Sequence, residues 1–575
     1  MAEFEIPVAA TGILRDFAAA GMIGLADFHL ARRMAAYCGE QDESVLLALA
    51  LTARELRLGS LCLDLTTAAD LVVPGAVDDG SVTEAAELPW PEPGAWMTAV
   101  AASPAVATSP EQDRPFRLEG NLLYLARCHA EERLVEQRLR HRSELDPPPA
   151  PPELAEATGM RPDASQDAAV QAAVTSRTSV ITGGPGSGKT TVVARILDSL
   201  AVAPVTVALA APTGKAASRL ETSVLGKLRR PEQVQLRAGT LHSLLGVIPG
   251  RDARSHDRRN PLPFDVVVVD ESSMVSSTMM AWLLDAVADD TRLVLIGDPD
   301  QLASVEAGAV LADISRVPGL VTSRSGPAVA RLTGSHRNAG DIGRLAEAIR
   351  TGDADEVLSL VAASEWCTLD PYSGREDLTE LPSLEQAVTG PAETVLRAAR
   401  EGDAEAAVAA LEVHRLLCAH RAGPFGTGHW QQVVRRHLAD RFPDLAPEGG
   451  PYAGQPLIVT RNSDVVSNGE VAVLVARGGR LLAALDRGDH VDLLNPLQLD
   501  AAQELHAMTI HKSQGSEFDA VSVILPPMGS PLLTRELLYT AVTRARRQVR
   551  LFGSPEALVS AVVTPTRRAS GLGKR

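Results

Sequence analysis

At 575 residues the chain is too long for one compact domain, and at roughly 150 residues each it divides into about four. With 45% hydrophobic and 22% charged residues it can bury real cores, and no apolar run approaches the ~18–20 residues that span a membrane. Five scattered cysteines without a CxxC pair argue against a zinc site, an iron–sulfur cluster and a disulfide framework, and a net charge of −17 gives no hint of an anionic polymer as partner.

In chain order, residues 1–5 are acidic where a secretory signal would be basic, which predicts a cytoplasmic protein. Residues 1–110 read as helical from their apolar spacing over 25–30 and 44–58. They hold fifteen acids against five arginines, net −10, so the other 465 residues carry only −7 and an anionic polymer should meet the later chain. A Gly/Pro-rich stretch over 88–110 closes this region, a helix is predicted over 120–139, and the prolines of 147–152 read as a stiff hinge. From about 159, short β-branched runs at 179–182, 205–210, 266–269 and 293–296 alternate with helical segments, the signature of a parallel sheet covered on both faces. A second such block runs from about 345 to the end. Inside it, 471–475 and 481–485 lie between Gly-rich turns and read as a small all-β insertion. The fold class is therefore α/β, with two parallel-sheet domains, a helical N-terminal domain and a small β insertion.

Only five of the 55 basic residues are lysine: Lys189, Lys215, Lys227, Lys512 and Lys574. Where lysine survives against so strong an arginine bias, its compact ammonium can be what the site needs, although chance survival is the simpler alternative for any one of them. Three of the five sit in motifs. Gly183-Gly184-Pro185-Gly186-Ser187-Gly188-Lys189-Thr190 fits G-x-x-x-x-G-K-[ST] after a predicted strand and before a helix. Its glycines let backbone N–H groups approach phosphate, Lys189 reaches the β/γ-phosphates, and the Thr190 hydroxyl suits Mg²⁺. The all-valine run 266–269 ends in Asp270 and Glu271 at a strand's C-terminal edge, where Asp270 suits the metal and Glu271 the attacking water. The strand at 293–296 exits into Gly297-Asp298-Pro299-Asp300-Gln301-Leu302, where Gln301 can sense the γ-phosphate, and Pro212-Thr213-Gly214-Lys215 repeats the strand-then-loop pattern, with a nucleic-acid phosphate as partner for the lysine. In the second block, Thr509 to Glu517 and Tyr539 to Arg547 follow. An arginine reaching across the cleft stabilises charge on the transferring phosphoryl group; Arg544 is the first candidate and Arg337 the second. No acid stands two residues before any lysine, so the Asp/Glu-x-Lys pattern of a two-metal nuclease is absent.

Taken in order, Gln166, the phosphate loop, 212–220, Thr240-Leu241-His242, Asp270-Glu271, 297–302, Arg337, 509–517 and 539–546 resemble the superfamily 1 helicase motif series, and His511-Lys512-Ser513-Gln514-Gly515 resembles the clade that moves 5′→3′. Segments 122–127, 417–426, 468–470 and 568–572 are similar to the RecD family, the alpha subunits of exodeoxyribonuclease V (RecBCD). His336 departs from the aromatic usual before the motif arginine. The resemblance implies two RecA-like motor domains, 159–345 and 346–463 with 507–575. It also implies a partner-docking domain over 1–113, a helical linker and hinge over 114–158, an SH3-like subdomain over 464–506 and a strand-separating pin near 247–263. By the same resemblance, Gln166 reads adenine; the loop from Gly183 to Thr190, with Thr191 and Glu517, holds ATP; Thr190 and Asp270 hold Mg²⁺; and Lys189, Glu271, Gln301, Arg337 and Arg544 act on the phosphates. Thr213, Lys215, His242, Thr509, His511 and Lys512 would touch single-stranded DNA. The partners implied are the 5′-ended strand at a duplex end and RecB-like and RecC-like subunits in a heterotrimer, with no nuclease site in this chain. A stand-alone helicase, or an ATP-gated assembly factor, are the alternatives.

Overall fold

Four successive valines, Val266–Val269, carry no polar atom and no helix-favouring side chain, and all four are wholly buried. Such a strand is stable only with both faces covered. The computed structural model, which describes residues 6–71, 88–155, 163–248, 250–251, 253–317, 319–323, 326–333, 340–442, 450–463, 465–487, 490–499 and 501–574, places it inside a six-stranded sheet. The order is Val329–Arg331, Thr178–Thr182, Arg292–Gly297, Val266–Val269, Val205–Ala211 and Val234–Thr240, with every pairing parallel. Alternation divides the side chains between two cores. Val266 and Val268 join Val170, Val193 and Ile196 from the helices Ala164–Thr175 and Lys189–Leu200. Val267 and Val269 join Leu283 and Leu284 of the helix Ser277–Ala286. At about 1.5–3 kcal/mol for each large apolar side chain, this strand alone contributes several kcal/mol.

The second block forms a five-stranded sheet, also all parallel, in the order Cys367–Asp370, Ala545–Phe552, Phe518–Ile524, His414–Cys418 and Ala507–Thr509. The β insertion is antiparallel, in the order Val491–Leu494, Arg480–Asp486, Val471–Arg477, Pro456–Val459 and Ala502–Glu504. Its central hairpin turns on Gly478 and Gly479, both at positive φ as a tight two-residue turn requires. The sheet takes in Pro456–Val459, so it begins ahead of the 464 boundary that the resemblance implied.

The N-terminal region holds the expected helices, Gly12–Ala19, Leu25–Cys38 and Glu43–Arg57, the last capped by the Asp42 carboxylate, which accepts from Ser44 N–H at 2.8 Å. Two expectations fail here. The 88–110 stretch contains the helix Pro93–Ala102, with proline at the first turn, where its missing N–H costs nothing. The helix predicted from Gly120 is instead a hairpin, Phe116–Glu119 with Leu122–Leu125, and helix begins only at Ala126. Gly120 at φ +60 makes the turn, and Leu123 and Tyr124 are wholly buried. The hairpin pairs with Cys62–Asp64 on one side and Val106–Ala107 on the other, so a domain boundary at 113 would cut a continuous sheet.

The helix Ala126–Glu144 is not a free linker. Val135 and Leu139 belong to the first lobe's core. Arg142, 1% exposed, donates to Thr178 Oγ1 at 2.8 Å and to the carbonyls of Ala288 (2.7 Å), Arg177 (2.8 Å) and Thr291 (2.6 Å). Burial without a carboxylate partner pulls its pKa down to about 10. Arg138 donates to Leu284 O at 3.0 Å and Val287 O at 3.2 Å. Arg138 thus takes up backbone acceptors at the C-terminal end of the helix Ser277–Ala286, where cations are favoured, and Arg142 takes up those just ahead of the strands Thr178–Thr182 and Arg292–Gly297. Among the described residues no helix is long and apolar enough to cross a membrane.

Candidate active site

The phosphate loop leaves the strand Thr178–Thr182, second in the six-stranded sheet, at the sheet's C-terminal edge, the ligand edge of an open parallel sheet. Gly186 and Gly188 sit at φ +75 and +87, conformations that turn successive N–H groups inward. Lys189 opens the following helix, and its ammonium donates to the loop carbonyls of Gly183 (2.8 Å) and Gly184 (3.1 Å). Gln166 is buried behind the loop and donates to Ser187 O at 3.3 Å. Thr191 accepts from Lys227 at 3.3 Å, which gives this lysine, outside every motif, a place beside the loop.

Asp270 and Glu271 stand on the strand two places along in the sheet. The Asp270 carboxyl is held above the ordinary carboxylate range by burial first and by the charge of Glu271 second, with Lys189 opposing. Glu271, at φ +48, is the single non-glycine residue at positive φ among those described. A glutamate in that region costs of order 1–3 kcal/mol and persists because its surroundings impose it. Its N–H donates to Asp270 Oδ1 at 2.9 Å, and Asp270 N–H to Ala210 O at 2.9 Å. The pair is thus aimed by backbone bonds.

The 297–302 segment meets the second lobe beside the phosphate loop. Asp298, 2% exposed, accepts from Gln301 Nε2 at 3.0 Å and from the Tyr539 hydroxyl of the second lobe at 3.1 Å. Leu302 N–H donates to Thr540 Oγ1 at 2.9 Å, and Gln514 donates to Leu302 O at 2.8 Å. A Cβ on Gly184 would stand 3.0 Å from the Tyr539 hydroxyl, so this ring reaches the phosphate loop itself. Burial, then Asp298, holds the Tyr539 hydroxyl well above its usual pKa, which keeps it a donor. Asp298, Tyr539, Thr540 and Gln514 stand inside the sequence motifs, but the contacts they make span 212 to 241 residues and leave no local signal.

The remaining candidates divide. Arg544 is buried in its own lobe, donating to Thr540 O (3.0 Å), Ser516 O (3.2 Å) and Thr543 Oγ1 (3.3 Å). Arg337 and His336 lie outside the described residues. Thr509 and Lys512 line a cavity of about 580 Å³ with Arg421, Thr427, Gln431 and Thr460, at the C-terminal edge of the second sheet. His511 is nearby, its pKa lowered by burial, then by Arg568 and Arg421. Lys215 is not in that cavity. It lines a separate one of about 220 Å³, between the helix Gly214–Leu225 and the second lobe, together with Glu412, Asp486 and Glu517. Burial, then Arg219, pulls its pKa down to about 8. Glu517 pairs there with Arg546 at 3.5 Å. Thr213 caps the same helix, accepting from Ala216 N–H at 3.3 Å, and the next helix residue but five, Arg219, donates across the cleft to Gly515 O at 2.8 Å. His242 lies on the short helix Leu241–Leu245 at the exit of the sheet's edge strand. In the expected pin region, Arg251, Arg258 and Arg259 are exposed.

Three family models match the chain: the RecBCD enzyme subunit RecD N-terminal domain over 19–124, an AAA domain over 161–369 and the UvrD-like helicase C-terminal domain over 504–552. The chain is 44% identical over 570 residues to the RecBCD enzyme subunit RecD of Mycolicibacterium smegmatis, covering 96% of this chain and 97% of that one. It is 43% identical over 592 residues to its namesake in Mycobacterium tuberculosis, covering 100% and 98%. To the ATP-dependent RecD2 DNA helicase of Deinococcus radiodurans it is 33% identical over 390 residues, covering 66% of this chain and 47% of that protein. Identity at this level, sustained from end to end and joined to a two-lobed site built around a phosphate loop, means that the chain belongs to the RecD family of superfamily 1 helicases.

Proposed function

We propose that this chain is an ATP-dependent 5′→3′ DNA helicase that acts in the cytoplasm as the RecD subunit, beside RecB-like and RecC-like subunits, in a complex that unwinds and degrades DNA from duplex ends. The observation that carries the motor is the Tyr539–Asp298 contact, by which the second lobe reaches the phosphate loop of the first. A site closed by contacts between two lobes can convert nucleotide turnover into lobe movement. End-to-end identity with RecBCD subunits supports the complex over the stand-alone alternative.

On this reading Gln166 faces the base and the loop N–H groups take the phosphates. Lys189 exchanges its two loop carbonyls for the β- and γ-phosphate oxygens. Thr190 and Asp270 would hold Mg²⁺, which fits a half-buried carboxylate already short of compensating charge; the ion would supply neutralisation of phosphate charge. Glu271 orients the attacking water and accepts its proton. Gln301 senses the γ-phosphate from its anchor on Asp298, and Arg337 is assigned to the same phosphate. For Arg544 to contribute, its bonds to Thr540 and Ser516 within its own lobe must break, so the arginine is withheld until nucleotide binding rearranges the site. Thr213, His242, Thr509, His511 and Lys512 are assigned to the single strand, and Lys215 to it only after the cavity that holds it opens.

Lys189→Gln tests the motor. It should abolish DNA-stimulated ATP hydrolysis without altering the fold, since a single side chain supplies the phosphate cation. Retention of more than about a tenth of wild-type turnover would refute the assignment, because loss of a transition-state charge contact costs ~10² or more. Unwinding of forked duplexes bearing only a 5′ or only a 3′ tail tests the direction.

A further inference from the structure

The carboxy-terminal segment after the helix Pro555–Val563 has no part in the cycle above, yet its hydrogen bonds reach both lobes and the N-terminal domain. It leaves the second lobe where Thr566 N–H donates to Glu536 Oε2 at 2.7 Å. Two residues later Arg568 enters the first lobe. Its Nη2 donates to Ser304 O at 2.7 Å, and its Nη1 to Glu306 O at 3.2 Å and Gly308 O at 3.1 Å. Ala569 then joins the N-terminal domain: its N–H donates to Ser60 Oγ at 3.1 Å, and its carbonyl accepts from Leu61 N–H at 2.8 Å. Ser570 Oγ and Gly571 N–H both donate to Glu132 Oε1 at 2.9 Å, while Glu132 Oε2 accepts from the Tyr124 hydroxyl at 3.0 Å. Leu572 ends in the first lobe's core.

The loop that Arg568 grips follows directly on Gln301 and Leu302, the residues that meet the second lobe. Three of its carbonyls face one guanidinium, a planar fork that a lysine ammonium cannot reproduce. The other side of the fork is closed by the N-terminal domain. Gly308 N–H donates to Gly59 O at 2.9 Å, and a Cβ on Gly59, itself at φ +99, would stand 2.8 Å from Arg568 Cζ. Two residues of backbone, a reach of at most about 7 Å, and the Arg568 side chain are all that join the Glu536 anchor to the loop. A wide parting of the lobes at this corner would therefore break one anchor.

We infer that Arg568 is a positioning residue for ATP hydrolysis: it fixes the 303–308 loop so that Gln301 and Leu302 meet the second lobe in register, and it ties that register to the N-terminal domain. The inference rests on the helicase reading given above. The test uses the full-length chain and its variants Arg568→Ala, Arg568→Lys and Gly59→Ala, assayed for DNA-stimulated ATP hydrolysis and for binding of a fluorescent ATP analogue. Arg568→Ala should lower kcat about five- to fiftyfold, as misplacement remote from the chemistry does, while KM for ATP and analogue binding stay within about twofold because the phosphate loop is untouched. Arg568→Lys should recover only part of the loss. Gly59→Ala should act in the same direction, and the double variant should be no slower than Arg568→Ala, since both changes break one contact. A wild-type chain without DNA-stimulated turnover would overturn the helicase reading itself. An active wild type with Arg568→Ala at wild-type kcat, whatever its melting temperature, would overturn the positioning role alone. Should Arg568→Ala fail to fold, Arg568→Lys at full kcat would overturn it equally.

Discussion

Removing one oxygen from the lobe interface should slow the motor without disturbing the nucleotide pocket. Tyr539→Phe keeps the ring and deletes the hydroxyl that donates to Asp298 at 3.1 Å. Asp298 is almost wholly buried, so the lost donor is not replaced by water. Hydrogen bonds to charged groups contribute about 1.5–3 kcal/mol. Two donors remain, Gln301 Nε2 at 3.0 Å and Asp300 N–H at 3.2 Å, which puts the expected loss at the lower end. The bond exists only while the lobes are together, so the loss falls on the closed state. About 1.4 kcal/mol is tenfold in that equilibrium. The kcat for ATP hydrolysis at saturating DNA should therefore drop about tenfold, with analogue binding to the open state little changed. Asp298→Asn and the double variant complete a cycle, and contacting partners should show a coupling of at least about 0.5 kcal/mol. Turnover within twofold of wild type for Tyr539→Phe, or strictly additive effects in the cycle, would refute the reasoning.

Glu271→Gly should raise the thermal midpoint while abolishing turnover, because glycine relieves a φ of +48 at a gain of about 1 kcal/mol; Glu271→Ala, which keeps the strain, should not raise it, and a calorimetric scan separates the two. Asp313 is raised from 3.8 to about 6, by burial first. The native state thus holds a proton there that the unfolded chain has lost, so this group favours folding most below 3.8, and the benefit is lost as pH rises through about 6. Asp313→Asn should stabilise the chain near pH 7 by about 2 kcal/mol, allowing for its partial exposure, and flatten the stability profile between those two values, as urea unfolding across pH would show. An unchanged profile would mean that Asp313 is not the titrating group.

Much of this architecture was legible in the chain itself. The valines of 266–269, the glycines of the phosphate loop and the acids Asp270 and Glu271 are local patterns, and their physics is local: a strand with no polar atom must be covered, and a loop that cradles phosphate must be free of Cβ atoms. The two parallel sheets and the all-β character of the insertion followed from such runs. The hairpin over 116–125 did not, because Leu122 to Leu125 suit a buried strand or a helix equally and only pairing with Cys62–Asp64 decides between them. Nor could the sequence show that Arg142 bolts the presumed linker to the first lobe, that Lys215 faces Glu412 and Asp486 in a cavity of its own, or that Arg544 is held by its own lobe. These outcomes depend on which buried acceptors and charges the folded chain brings within reach of a long cationic side chain, and partners separated by hundreds of residues have no spacing to read. The contact between Tyr539 and Asp298, and the return of the tail to Ser304, Gly308 and Glu132, are of the same kind: the residue types were visible in the sequence, and the tertiary structure alone chose their partners.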